Sequence, residues 1–80
     1  MKLYGHADEN RPSVTLDPSE LAEITLVANP DELRRIAKFL ESCASGMEER
    51  GKTWEHEHLS DRDASFEDSP HFVVYNPDAV

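Results

Sequence analysis

Apolar and polar positions alternate near both ends of the chain and recur every three to four residues in its middle. Residues 2–7, "KLYGHA", predict a short strand with Leu3 and Gly5 facing one way and Lys2, Tyr4 and His6 the other. Residues 8–20, "DENRPSVTLDPSE", are rich in turn formers. Val14 and Leu16 alternate within them, and Asp17, Pro18 and Glu20 carry a helix-start pattern. That piece is too short for more than one turn and reads as loop. Residues 22–28, "AEITLVA", are the strongest strand, with Ile24, Leu26 and Ala28 on one face and Thr25 and Val27 on the other. Apolar residues on both faces predict a central position in a sheet.

Residues 29–51, "NPDELRRIAKFLESCASGMEERG", predict the one long helix. Asn29 can cap it, Pro30 suits the first turn, and Glu32 completes a capping-box pattern. Asp31 and Glu32 also lie at the positive end of the helix dipole. Leu33, Ile36, Ala37, Leu40, Cys43, Ala44 and Met47 form a stripe at helical spacing, with Phe39 on its flank. Gly51 is a natural stop. Gly46 either weakens the last turns or lets a neighbour pack close.

Residues 53–59, "TWEHEHL", alternate and predict a third strand. Residues 60–70, "SDRDASFEDSP", read as an acidic, mobile loop pinned by Phe66. Residues 71–76, "HFVVYN", predict a fourth strand, with Phe72 and Val74 facing one way and Val73 and Tyr75 the other. The expected fold is therefore α+β in ββαββ order. It is a two-layer single domain over residues 1–80, with a four-stranded, mainly antiparallel sheet and the helix on one face. The second sheet face then carries Tyr4, Thr25, Val27, Val73 and Tyr75. It is either a partner surface, a homodimer contact included, or a half-polar face without a role.

Composition narrows the function. Eighty residues make a thin core and leave little chain for a walled cleft. Seventeen acids against eight Lys and Arg, a net charge of -9, disfavour nucleic acid, whose phosphates need cations. The same charge suits a basic protein partner, although acidity also serves solubility alone. A lone cysteine, Cys43, precludes an internal disulfide and fits a reducing compartment. With no apolar run of signal-peptide or membrane-spanning length, the chain reads as complete and cytoplasmic, without a membrane partner.

The densest chemistry lies in "TWEHEHLSD", residues 53–61. On a strand, residues two apart share a face, so Trp54, His56 and His58 project together and Glu55, Glu57 and Leu59 oppositely. His56 and His58 are acceptable zinc ligands, with His6 or His71, or a carboxylate such as Asp61 or Asp63, as a third. The spacing is common in ordinary strands, and the metal reading is the alternative, not the expectation. A histidine base would need a carboxylate to orient it, and alternation turns the adjacent glutamates away. No phosphate loop or nucleophile elbow accompanies the histidines, Cys43 sits on the packing stripe, and neither catalytic residues nor a cofactor is expected. Recognition is the third reading. Trp54 is either an interface anchor or, more commonly for this residue type, core. The acids Glu55, Glu57, Asp61 and Asp63 beside it make an acidic docking region in which Arg62 is the one base.

The run "ITLVANPDELRRIAKFLESCASGME", then "WEHEHLSD", then "FVVYNP", is similar to small bacterial immunity proteins of polymorphic toxin systems. The resemblance spans residues 20–77 and rests on the order of strand, "NP-E-L" helix, "W-H-H" strand and "VVYNP" strand. It implies a protective protein that binds and neutralises a cognate toxin, and the matching positions are Trp54, Glu55, His56 and His58. The expected function is thus protein binding without catalysis, through Trp54, Glu55, His56, Glu57, His58, Asp61 and Asp63, toward a toxin with a basic surface.

Overall fold

A computed structural model of the chain describes residues 1–7 and 20–79. The readings placed on Val14, Leu16 and the Asp17–Pro18 step lie outside the described residues. Strand β1 (Lys2–Ala7) pairs antiparallel with β2 (Leu21–Val27), with Leu3 opposite Leu26 and Tyr4 opposite Thr25. Helix α1 (Pro30–Arg50) follows, and a 3-10 turn (Gly51–Thr53) leads from it into β3 (His56–His58). A short helix, α2 (Leu59–Arg62), and a second 3-10 turn (Ala64–Phe66) precede β4 (Val73–Tyr75), which pairs antiparallel with β3.

The ends of α1 form as the local chemistry requires. The Asn29 side chain accepts from the Glu32 backbone N–H at 2.8 Å, and Glu32 Oε1 accepts from the Asn29 N–H at 3.0 Å. This reciprocal pair satisfies two of the first-turn donors that a helix leaves open. The Met1 ammonium also reaches Glu32, at 2.6 Å from Oε2. At the other end Gly51 adopts φ 55° and ψ -135°, a backbone region essentially reserved for glycine, and its N–H donates to the Met47 carbonyl.

The expected α+β class and single long helix are present, but the single four-stranded sheet is not. Among the described residues the strands form two separate two-stranded ribbons, β1–β2 and β3–β4, and β2 is not central. The cause lies in the ends of the third strand. Trp54 and Leu59, which bracket it, both bury their side chains, and Leu59 opens α2. Only three residues of the alternating seven remain extended, too few to span a wide sheet. The segment 60–70 is correspondingly more regular than an open loop, and Phe66 pins it at 2% exposure.

Each ribbon lends only a few side chains to the core, and β1–β2 is otherwise largely exposed. The core is Ile36, Phe39, Cys43, Trp54, Leu59 and Phe66, with Met1, Leu26, Met47, Phe72 and Val74 packed against it. Phe39 sits within this core, not on a flank, and meets Phe72 edge to face with centroids 6.4 Å apart. The apolar stripe is consequently rotated from its expected line. Leu33 and Leu40 are 47% and 43% exposed, and Ala37 and Ala44 are exposed beside them. Two narrow ribbons cover less of the helix than one broad sheet would. Among the described residues, no helix is long and apolar enough to cross a membrane.

Candidate functional site

The β3–β4 ribbon is built on a buried base. Its sequence contribution begins with Gly46 in α1, which lacks a side chain where the Trp54 indole rests. A Cβ at Gly46 would lie 2.6 Å from Trp54 Nε1, closer than real contacts allow. Glycine is needed here for close approach, and Trp54, 7% exposed, belongs to the core. Its projection with His56 and His58 is therefore corrected: Trp54 precedes the strand, so strand alternation does not govern it. Asn76 locks the same base. Its buried amide donates to the Trp54 carbonyl at 2.8 Å and to the Gly51 carbonyl at 3.2 Å, while its Oδ1 accepts from the Asp78 N–H. Asn76 was not singled out from the sequence; the Asn-Pro step closing "VVYNP" was its only signal.

On the outer face of this ribbon four rings stand in file. His56 lies opposite Tyr75 in register and stacks on it, centroids 5.9 Å apart and planes 9° apart. His56 meets His58 edge to face at 5.4 Å, and His58 meets His71 at 6.1 Å. Val73, opposite His58, lies on the same face by the alternation rule. Tyr75 is 61% exposed and Val73 44%. The shared face of His56 and His58 thus forms as expected, with Tyr75 as its exposed aromatic in place of Trp54.

Glu55 joins this file, contrary to the expected separation of glutamate and histidine. Its Oε1 lies 2.9 Å from His56 Nδ1. Glu55 is outside β3, so its side chain is free to swing toward its neighbour. Facing a carboxylate, Nδ1 is the donor in this contact. Glu57 takes the opposite face, beside the half-buried Val74. Burial, and secondarily the Glu57 charge, push the Cys43 thiol above its ordinary range, so this cysteine is a packing residue. Asp61 is exposed on α2. Asp63 is committed elsewhere: its Oδ1 accepts from the Ser65 N–H and hydroxyl, and Oδ2 accepts from Arg35 at 3.1 Å. Hydrogen bonds from Ser65, then from Arg35, hold its carboxyl below the usual range.

The histidines proposed as alternative metal ligands are not assembled together. His6 lies on β1 near Glu23, whereas His56, His58 and His71 line the other ribbon. Among the described residues, no group of three or more His, Cys, Asp or Glu has a geometry that could hold a metal ion.

A second surface lies between α1 and α2. It is an open groove of about 720 Å³ lined by Arg34, Arg35, Lys38 and Arg62 together with Asp31 and Asp63. Arg62, read from sequence as an isolated base in an acidic stretch, faces the cations of α1 across this groove. A sequence lists Arg62 among acids because they are its chain neighbours; only the turn through α2 changes its company.

Comparison with known proteins bears on what these surfaces are for. The chain matches no curated protein and no solved structure. The family model for Immunity protein 32 matches residues 23–77, a stretch that holds β2, α1, the ring file and the Asn76 lock. The resemblance to bacterial immunity proteins is thereby upheld, and this chain belongs to the Immunity protein 32 family.

Proposed function

We propose that this protein neutralises a cognate protein toxin by binding it directly, without chemistry of its own, and that the outer face of the β3–β4 ribbon makes the contact. The observation that carries the reading is the file of exposed Tyr75, His56 and His71 with half-buried His58, flanked by Glu55, inside the family-matched segment. A large exposed aromatic with rigid neighbours has the character of an interface hot spot. Glu55 presents a carboxylate, so Lys and Arg side chains of a basic toxin find a partner at one edge. The net charge of -9 steers such a partner toward the surface. Asp61 extends the acidic region, while Trp54, Glu57 and Asp63 support the surface from within or from the side.

The test is protection of cells that express the toxin. Tyr75→Ala and the charge reversal Glu55→Lys/Asp61→Lys are compared with Tyr4→Ala on the other ribbon. A hot-spot truncation costs about 2 kcal/mol or more, roughly thirtyfold in affinity. Protection should fall with the first two variants and persist with Tyr4→Ala. Full protection by both, with native circular dichroism, would refute the assignment.

A further inference from the structure

We propose that the groove between α1 and α2 is a second docking site, which takes an extended peptide segment carrying carboxylates at alternate positions. This inference concerns a different face and a partner of opposite charge from the toxin contact above, and it stands or falls independently of that contact.

Four of the chain's eight Lys and Arg line this one groove. In a chain with seventeen acids, ion pairing would be expected to consume them. Only Arg35 is consumed: its guanidinium binds Asp31 at 2.9 Å and Asp63 at 3.1 Å, tying α1 to the segment after α2. Arg34, Lys38 and Arg62 make no ion pair among the described residues. Both carboxylates at the groove are therefore already taken by one cation, and three cations face the opening without a partner.

The dimensions favour a peptide over a small ion. The lining runs along α1 from Asp31 to Ser42, roughly 16 Å at a helical rise of 1.5 Å per residue. About five residues of extended chain fit that length. Arg34 and Lys38 are one turn apart on α1, about 6 Å along the axis. Side chains two apart on an extended strand are separated by about 6.6 Å. Carboxylates at positions i and i+2 of a bound segment thus meet Arg34 and Lys38 in register, and Arg62 closes from the opposite wall. A polyphosphate suits the groove less well, because it concentrates its charge, whereas the unpaired cations are spread over about 6 Å of α1 and across to Arg62.

The experiment is an NMR titration of the full chain with hexaglutamate, with hexaglutamine and sodium triphosphate as comparison ligands. Saturable shifts at Arg34, Lys38 and Arg62 are expected with hexaglutamate and not with hexaglutamine. Lys38→Glu/Arg62→Glu, which disturbs no existing ion pair, should weaken hexaglutamate binding at least tenfold and leave the β3–β4 resonances in place. Lys2→Glu, on β1, should bind as the parent does. Absence of saturable hexaglutamate binding overturns the proposal. So does binding unchanged in the double variant. Tighter binding of triphosphate at the same residues also overturns it, in favour of a phosphoryl ligand.

Discussion

At the scale of single residues, Gly46 and Trp54 determine whether the ribbon can exist. The sequence offered two meanings for Gly46, a weak helix turn or a close approach, and the indole seated against it selects the second. Gly46→Ala forces the indole or the helix to move. Overpacking of this kind costs about 1–3 kcal/mol, and urea unfolding followed by the fluorescence of Trp54, the one tryptophan, should show that loss. An alanine variant as stable as the parent would mean that the indole has another seat. Trp54 itself was ambiguous in the sequence for a physical reason. Alternation assigns faces only to residues inside a strand, and β3 begins at His56. The same reason explains Glu55, which lies beside His56 although a strand would have turned it away. His56 and His58 are inside the ribbon, and there the rule placed the pair on one face correctly.

At the scale of elements, the helix was the most legible part. "NPDEL" encodes a cap, a first-turn proline and a returning glutamate, all local chemistry, and the resulting helix bounds agree with the pattern. Asn29→Ala removes one half of the capping box and should destabilise the fold by about 1 kcal/mol. The cap also carries a pH signature. The Asn29 N–H, and then the Met1 ammonium, hold the Glu32 carboxyl below its usual value of 4.5, and Asp63 is held below 3.8. A carboxyl whose folded pKa is depressed binds protons more readily when unfolded. Its stabilisation is complete above the ordinary value and is lost as pH falls through the folded one. The urea midpoint should therefore decline as pH drops below about 4.5, and Glu32→Gln, which removes the titrating carboxyl, should flatten the part owed to Glu32. A midpoint insensitive to acid would contradict these contacts. The division into two ribbons was not legible, because "TWEHEHL" shows period-two alternation throughout and nothing local says that its apolar ends turn inward. That outcome is decided by long-range burial against α1, which periodicity does not register.

At the scale of the molecule, charge is segregated. Acids dominate the chain, yet half of its Lys and Arg line one groove. The stretch after Trp54 reads from sequence as an acidic docking region suited to a basic partner, and Arg62, which joins the α1 cations, shows where that reading fails. The apolar strip of Leu33 and Leu40 on α1 shows a similar limit, since a single broad sheet was expected to cover it. The family and the order of its elements were readable from short sequence motifs, whereas the surfaces depend on how α2 and the two ribbons fold back onto α1. Direct toxin binding by the β3–β4 face is the claim on which the functional account rests. Its most direct test is calorimetric titration of the protein with its cognate toxin, at low and at high salt. The account predicts a stoichiometric complex whose affinity falls as salt screens the charges and drops again with Tyr75→Ala. Absence of any complex, from a protein that still protects cells against that toxin, would contradict it.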